Sequence, residues 1–169
     1  MISCILALVT GVMVLVADQL TKNYIVANFT LGQTYPAIEG IFDFTYIHNK
    51  GGAWGMMNTH PWLLLSLAAI VSIICIMLLV KYRSQSKLMF WALTLVLSGG
   101  LGNIIDRVFR EHHSVVDFID VSFIEFPVFN VADCAVCIGA GLLVLFFVID
   151  IIKTGKNDEK KSLQTNTEE

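Results

Sequence analysis

Four stretches of this chain run for a helix's length without a charged residue: Met1–Ala17, Trp62–Val80, Leu88–Ile105 and Cys134–Ile149. Trp62–Val80 alone is 19 residues. About 20 apolar residues in a helix cross the hydrocarbon core of a bilayer. Composition agrees, with 56% hydrophobic and 15% charged residues, against roughly half and a quarter in soluble domains. The chain therefore reads as a mainly α membrane protein with four spans, at about residues 1–22, 61–81, 88–107 and 131–152. These make one membrane-embedded domain, 1–152, followed by a polar tail, 153–169, whose mixed charge points to disorder. The formal net charge of −3 has little meaning when charges are segregated. No basic patch with interleaved aromatics occurs, which excludes nucleic acid as a partner.

Charge also orients the spans. Lys81-Tyr82-Arg83-Ser84-Gln85-Ser86-Lys87 holds three cations and no anion, so this loop is expected in the cytoplasm. Both termini then lie on that side, with Lys153 and Lys156 in agreement. The first and third loops face outward. In the first, Ile41-Phe42-Asp43-Phe44-Thr45-Tyr46-Ile47 is aromatic and β-branched and predicts two to four short strands, a cradle at about 24–58, with its aromatic face at the interface. The third loop, Val115 to Pro127, is expected to hold a short interfacial helix or loop.

The residues with chemistry gather at the outer ends of the spans. Asp117 and Asp133 flank the acidic third loop. Carboxylates at the edge of a hydrocarbon layer are costly and point to function. Two that come close cannot both ionise easily, and a shared proton is the minimum apparatus of an aspartic peptidase. Helical spacing puts Gly99, Gly102, Asn103 and Asp106 on one face, with Arg107 four residues after Asn103. Small residues there admit a neighbouring helix, and the polar ones face the bundle interior. Asn130 and Asp133 are three apart, and Asp18 and Lys22 four apart, the latter an ion pair expected to lock the end of the first helix. Asn49-Lys50-Gly51-Gly52-Ala53 combines an amide suited to gripping peptide backbone with glycines, Gly52 included, that permit close approach.

Other chemistries fit poorly. Of His48, His60, His112 and His113, only His113 has a neighbouring serine, Ser114, and no nucleophile elbow is present. A zinc site from His112, His113 and Asp117 lacks the spacing that aligns two ligands on a helix. Cys134-Ala-Val-Cys137 has CxxC spacing, but inside an apolar span soft side chains that pack between helices explain it better. No metal or cofactor is expected. A small proton-coupled transporter or channel is the main alternative. It predicts acids spread through the membrane depth, whereas these collect at one side.

The motifs resemble one family, the lipoprotein signal peptidases or signal peptidases II, bacterial integral-membrane aspartic peptidases. Five blocks match in order: Asp18-Gln-Leu-Thr-Lys22, Asn49-Lys-Gly-Gly-Ala53, Gly99-Gly-Leu-Gly-Asn-Ile-Ile-Asp-Arg107, Val115-Val-Asp-Phe118 and Phe129-Asn-Val-Ala-Asp133. The resemblance implies that Asp117 and Asp133 are catalytic. It implies that Asn49, Gly52, Asn103, Asp106, Arg107 and Asn130 bind substrate or brace the site, with Asp18 and Lys22 as support. It further implies a diacylglyceryl-modified prolipoprotein substrate, cut just before the lipidated cysteine of its lipobox. Globomycin-like cyclic peptides would inhibit it. The expected setting is a monomer among the lipids of the bacterial cytoplasmic membrane, with its site near the outer face.

Overall fold

The computed structural model describes residues 2–51, 61–82 and 86–165. Gly52, the remainder of the expected cradle to residue 58, His60, Arg83 and the last four residues lie outside these. Among the described residues four α-helices form: α1 (Ile2–Asn28), α2 (Pro61–Tyr82), α3 (Lys87–Phe109) and α4 (Val131–Thr165). All four are long and apolar enough to cross a membrane. Their outward faces expose large apolar side chains, among them Val12, Met13, Ile70, Ile73, Val144 and Phe147. In a multi-pass protein this is the surface that lipid covers.

α3 is the central helix, packing against α1, α2 and α4, while α2 rests mainly on α3. Its start is fixed by Ser86, whose side chain accepts a hydrogen bond from the Met89 amide at 3.3 Å, an ordinary N-cap. Away from the sheet Cys75, Met89 and Leu93 are buried together, with Leu78, Leu143 and Phe146 against them. The α3–α4 seam is built on glycine. A side chain at Gly99 would strike the Ala132 carbonyl oxygen, and one at Gly139 would meet the Ala92 carbonyl at 2.7 Å and Val96 Cγ2 at 2.8 Å. The two backbones approach because neither glycine carries a Cβ.

Two helices run further than expected. α1 continues to Asn28, so residues 24–28 belong to the helix rather than to the cradle. α4 continues through the tail to Thr165. Lys, Glu, Gln and Leu are good helix formers, and extending an existing helix needs no new nucleus. The expectation of disorder is thus corrected as far as Thr165.

The sheet has three antiparallel strands in the order β1 (Thr34–Ile38), β2 (Phe42–Asn49), β3 (Val115–Val121). The third strand falls where a short helix or loop was expected. Only a 3₁₀ turn, Glu111–His113, is helical there, and the loop proper starts after Val121. The sequence Val-Val-Asp-Phe-Ile-Asp-Val is strongly β-forming, but its partner β2 lies some seventy residues away in sequence, which local pattern cannot reveal. The aromatic face of β2 covers protein: Tyr46 is buried with Ile25, Val116 and Phe118, and Phe44 packs against them.

The glycine seam makes a direct prediction. Gly99→Val should lower the melting temperature in detergent, costing about 1–3 kcal/mol by overpacking. Gly141, whose missing Cβ would meet nothing within 4 Å, should tolerate alanine without loss. Equal behaviour of the two variants would show that the seam is not tight.

Candidate active site

β3 leaves the 3₁₀ turn and carries Asp117 inward, with only 1% of its surface exposed. The β2–β3 pairing explains its company. Phe44 faces Ile119, but two residues back along β3 it is Ile47, not Tyr46, that faces Asp117. β2 therefore holds one extra residue, a bulge, and bulges re-aim the side chains beyond them. Asn49, two residues past Ile47, becomes the diagonal neighbour of Asp117 on one face. Its Nδ2 donates to Asp117 Oδ2 at 2.8 Å.

Asp133 arrives by another local device. Asn130 caps α4: its Oδ1 accepts from the Asp133 amide at 3.0 Å, and Asp133 Oδ2 accepts from the Asn130 amide at 3.2 Å. This is a reciprocal capping box with Asn and Asp in its two positions. Asn130 also spans the site, since its Nδ2 donates to Asp117 Oδ1 at 2.6 Å. One asparagine therefore touches both carboxylates. Asn103 completes the frame, its Nδ2 donating to Asp133 Oδ1 at 2.8 Å and its Oδ1 accepting from Asn130 Nδ2 at 3.1 Å.

Both carboxylates line a cavity of about 550 Å³. Its other walls include Asn49, Asn103, Arg107, Phe126, Phe129 and Ile138. Burial pushes the Asp117 carboxyl up to about 7, and the charge of Asp133 adds to the rise, while the amides of Asn49 and Asn130 oppose it. Arg107 is 8% exposed. Its Nη1 donates to the Asn103 carbonyl at 3.3 Å, and its buried Nε finds no acceptor among the described residues. A buried donor left unmet costs about 1–3 kcal/mol. Cys134 and Cys137 are free thiols on the cavity wall.

Behind the cavity the remaining expected residues form a charged cluster without access to solvent. Lys22 and Asp18 are both 0% exposed and 2.9 Å apart. Lys22 also lies 3.1 Å from Asp106, and Asp106 pairs with Arg110 at 2.8 Å. The expected Asp18–Lys22 pair is thus present and part of something larger. Two members went unassigned from sequence. Gln19 donates to both Asp18 and Asp106, each at 3.1 Å. Arg110 lies four residues after Asp106, a spacing that could have identified it. The capping box was legible too, in Asn130-x-x-Asp133. Of the expected site residues, only Gly52 is outside the described structure.

Four helices fit to cross a membrane, a small sheet at one end of them and two carboxylates at one largely apolar cavity describe a membrane enzyme. Comparison with known proteins gives the family. Residues 10–149 match the family model described as Signal peptidase (SPase) II. A lipoprotein signal peptidase of Bacillus pumilus (strain SAFR-032) is 41% identical over 139 residues, covering 81% of this chain and 88% of the relative. One from Lactococcus lactis subsp. lactis (strain IL1403) is 40% identical over 146 residues, covering 86% and 95%. A bacterial membrane enzyme structure obtained by the in meso method at 2.3 Å superposes with a TM-score of 0.81 at 31% identity, covering 86% of this chain and 88% of that one. The chain belongs to the signal peptidase II family, and it is a membrane protease.

The double duty of Asn130 can be separated. Asn130→Ala removes the cap and should cost about 1 kcal/mol or more, read as a fall in melting temperature. Asn130→Ser keeps a capping oxygen but cannot reach Asp117 as the amide does. It should recover most of the stability and little of the proteolytic rate. Full recovery of rate by serine would show that the Asp117 contact is dispensable.

Proposed function

We propose that Asp117 and Asp133 are the catalytic pair with which this protease removes signal peptides from prolipoproteins. The supporting observation is their arrangement: a buried carboxyl, Asp117, and a partly buried one, Asp133, bridged by one asparagine at the wall of one apolar cavity. Burial raises Asp117 to about 7, so near neutral pH the pair keeps a proton that two separate carboxylates would lose. The sign is that of a raised acid: the proton is held below about pH 7 and lost as the pH rises through it.

The chemistry follows from that proton. The ionised member takes a proton from a water, which attacks the scissile carbonyl. The protonated member polarises the carbonyl oxygen and later protonates the departing amine. The two titrate as a unit, so the roles belong to the pair. No acyl-enzyme forms, and the residues supply every proton transfer without a metal or cofactor.

Asn49 and Asn103 each commit one of two Nδ2 hydrogens to a carboxylate, so they brace the pair and keep one N–H each for substrate. Arg107 Nε is a further donor, and a substrate backbone carbonyl is the acceptor it suits. Extended peptide at bilayer depth needs partners of this kind. Asp106 acts from behind the cavity, through the amide of Val116, to which its Oδ2 is an acceptor at 3.1 Å.

The apolar cavity wall and its place at the helix ends favour a substrate held to the membrane by its own acyl chains. The reading is a diacylglyceryl-modified prolipoprotein, cut just before its lipidated cysteine, with both termini of the protease cytoplasmic and the site near the outer face. A globomycin-like cyclic peptide would compete for the same cavity, and a single chain supplies all the groups named. Every charge in the central network lies toward one end of the helices, which disfavours a proton relay through the membrane.

A cleavage assay tests this. Wild-type protein should cut a diacylglyceryl-modified prolipoprotein and leave the unlipidated precursor intact. Asp117→Asn and Asp133→Asn should each lose at least about 1,000-fold in kcat, as expected when a general acid–base group is removed. Near wild-type cleavage by either variant would remove that residue from the mechanism.

A further inference from the structure

Lys22 is the most completely buried cation of the structure, and it does not line the cavity. An ion pair that secures the end of α1 needs one carboxylate. Lys22 has three acceptors: Asp18 at 2.9 Å, Asp106 at 3.1 Å and Asn103 Oδ1 at 3.0 Å. An ammonium has three N–H donors, and all are engaged.

What those acceptors do with their other atoms is informative. Asp18 Oδ1 accepts a hydrogen bond from the amide of Ala132 at 2.9 Å. Asp106 Oδ2 accepts one from the amide of Val116 at 3.1 Å. Ala132 immediately precedes Asp133, and Val116 immediately precedes Asp117. The third acceptor, Asn103, donates directly to Asp133 Oδ1 at 2.8 Å. One ammonium group thus holds the group that anchors α4 before its carboxylate, the group that anchors β3 before its carboxylate, and the amide that orients one of the two.

We propose that Lys22 is a positioning residue that sets the separation and alignment of Asp117 and Asp133. The inference rests on those two carboxylates being the catalytic pair. β3 and the start of α4 are tied directly, by the backbone bonds between Ile119 and Phe129 and by Asn130, and Lys22 adds the tie that holds both anchors to α1. Without it, each carboxylate would keep its own anchor but lose the common reference that fixes its alignment to the other. A shift of about 1 Å in a reacting group can cost about 100-fold in rate. The contacts also say which parameter should respond. Arg107 and the apolar cavity wall do not touch Lys22, so substrate binding should change little while the chemical step slows.

The test must allow for folding, because removing one buried charge leaves others unbalanced. Asp18, Lys22, Asp106 and Arg110 together sum to zero charge. Lys22→Met combined with Asp18→Asn keeps that balance, and Asn at 18 retains an oxygen for the Ala132 amide. Wild type, Lys22→Met, the double variant and Asp117→Asn would be assayed on a diacylglyceryl-modified prolipoprotein in detergent, with melting temperatures alongside. The expected result is a folded double variant with KM within about three-fold of wild type and kcat lower by about 100-fold. Near wild-type kcat in the double variant overturns the proposal. So does a loss shared by kcat, KM and melting temperature, or outright unfolding, since each makes Lys22 an ordinary stabilising residue. Asp117→Asn keeps the premises separate: if it still cleaves, the catalytic pair is wrong whatever Lys22 does.

Discussion

Buried polar groups must find partners inside the protein, because the hydrocarbon around the helices offers none. Where the ends of α1 and α3 meet the start of α4, this requirement shapes everything else. Asp18, Lys22, Asp106 and Asn130 have no exposed surface at all, and each is fully engaged by its neighbours. The network forms only because glycines let the helices close on it. A Cβ at Gly102 would lie 2.7 Å from Asp18 Oδ2 and 3.2 Å from Ala132. The glycine seam and the charged cluster are therefore one construction, with small residues making the room that the polar groups fill.

The geometry of the proposed catalytic pair is an outgrowth of that construction. Asp117 and Asp133 sit one residue beyond backbone amides that the buried carboxylates hold. Their own hydrogen bonds come from three asparagine side-chain amides and one backbone amide, that of Asn130, all neutral. Neutral donors hold a carboxyl in place without fixing it in the charged form as a cation would. Burial then keeps Asp117 near 7, where acid and base forms are both accessible. Of the cations, Lys22 and Arg110 contact the supporting carboxylates, while Arg107 lines the cavity without an ion pair to either member of the pair among the described residues. Charge is neutralised where rigidity is needed, and left soft where protons move.

Much of this could be read from the sequence. The uncharged runs are long enough to give four spans, and the five motif blocks give the family and the candidate site residues, though not Arg110. The Asp18–Lys22 pair followed from a spacing of four. What the sequence withheld was long-range or cooperative. β3 pairs with a strand some seventy residues distant, and the bulge in β2, which turns Asn49 rather than His48 toward Asp117, has no local signature. α1 and α4 outran their apolar segments because helix propagation does not stop where hydropathy does. Asp106 read as a brace, but its role as a meeting point for Lys22, Gln19, Arg110 and the Val116 amide required three dimensions. Two signals were present and unused: the Asn130–Asp133 capping box and the Asp106–Arg110 spacing.

The central claim is that the two carboxyls of the proposed pair share a proton at neutral pH. Infrared difference spectroscopy across a pH series, comparing wild type with Asp117→Asn, reads it directly through the carbonyl stretch of a protonated carboxylic acid. The account predicts a band that persists to neutral pH, disappears with a midpoint within about a unit of 7, and is absent from the variant. Loss of the wild-type band by about pH 5, where ordinary carboxyls have ionised, would contradict it.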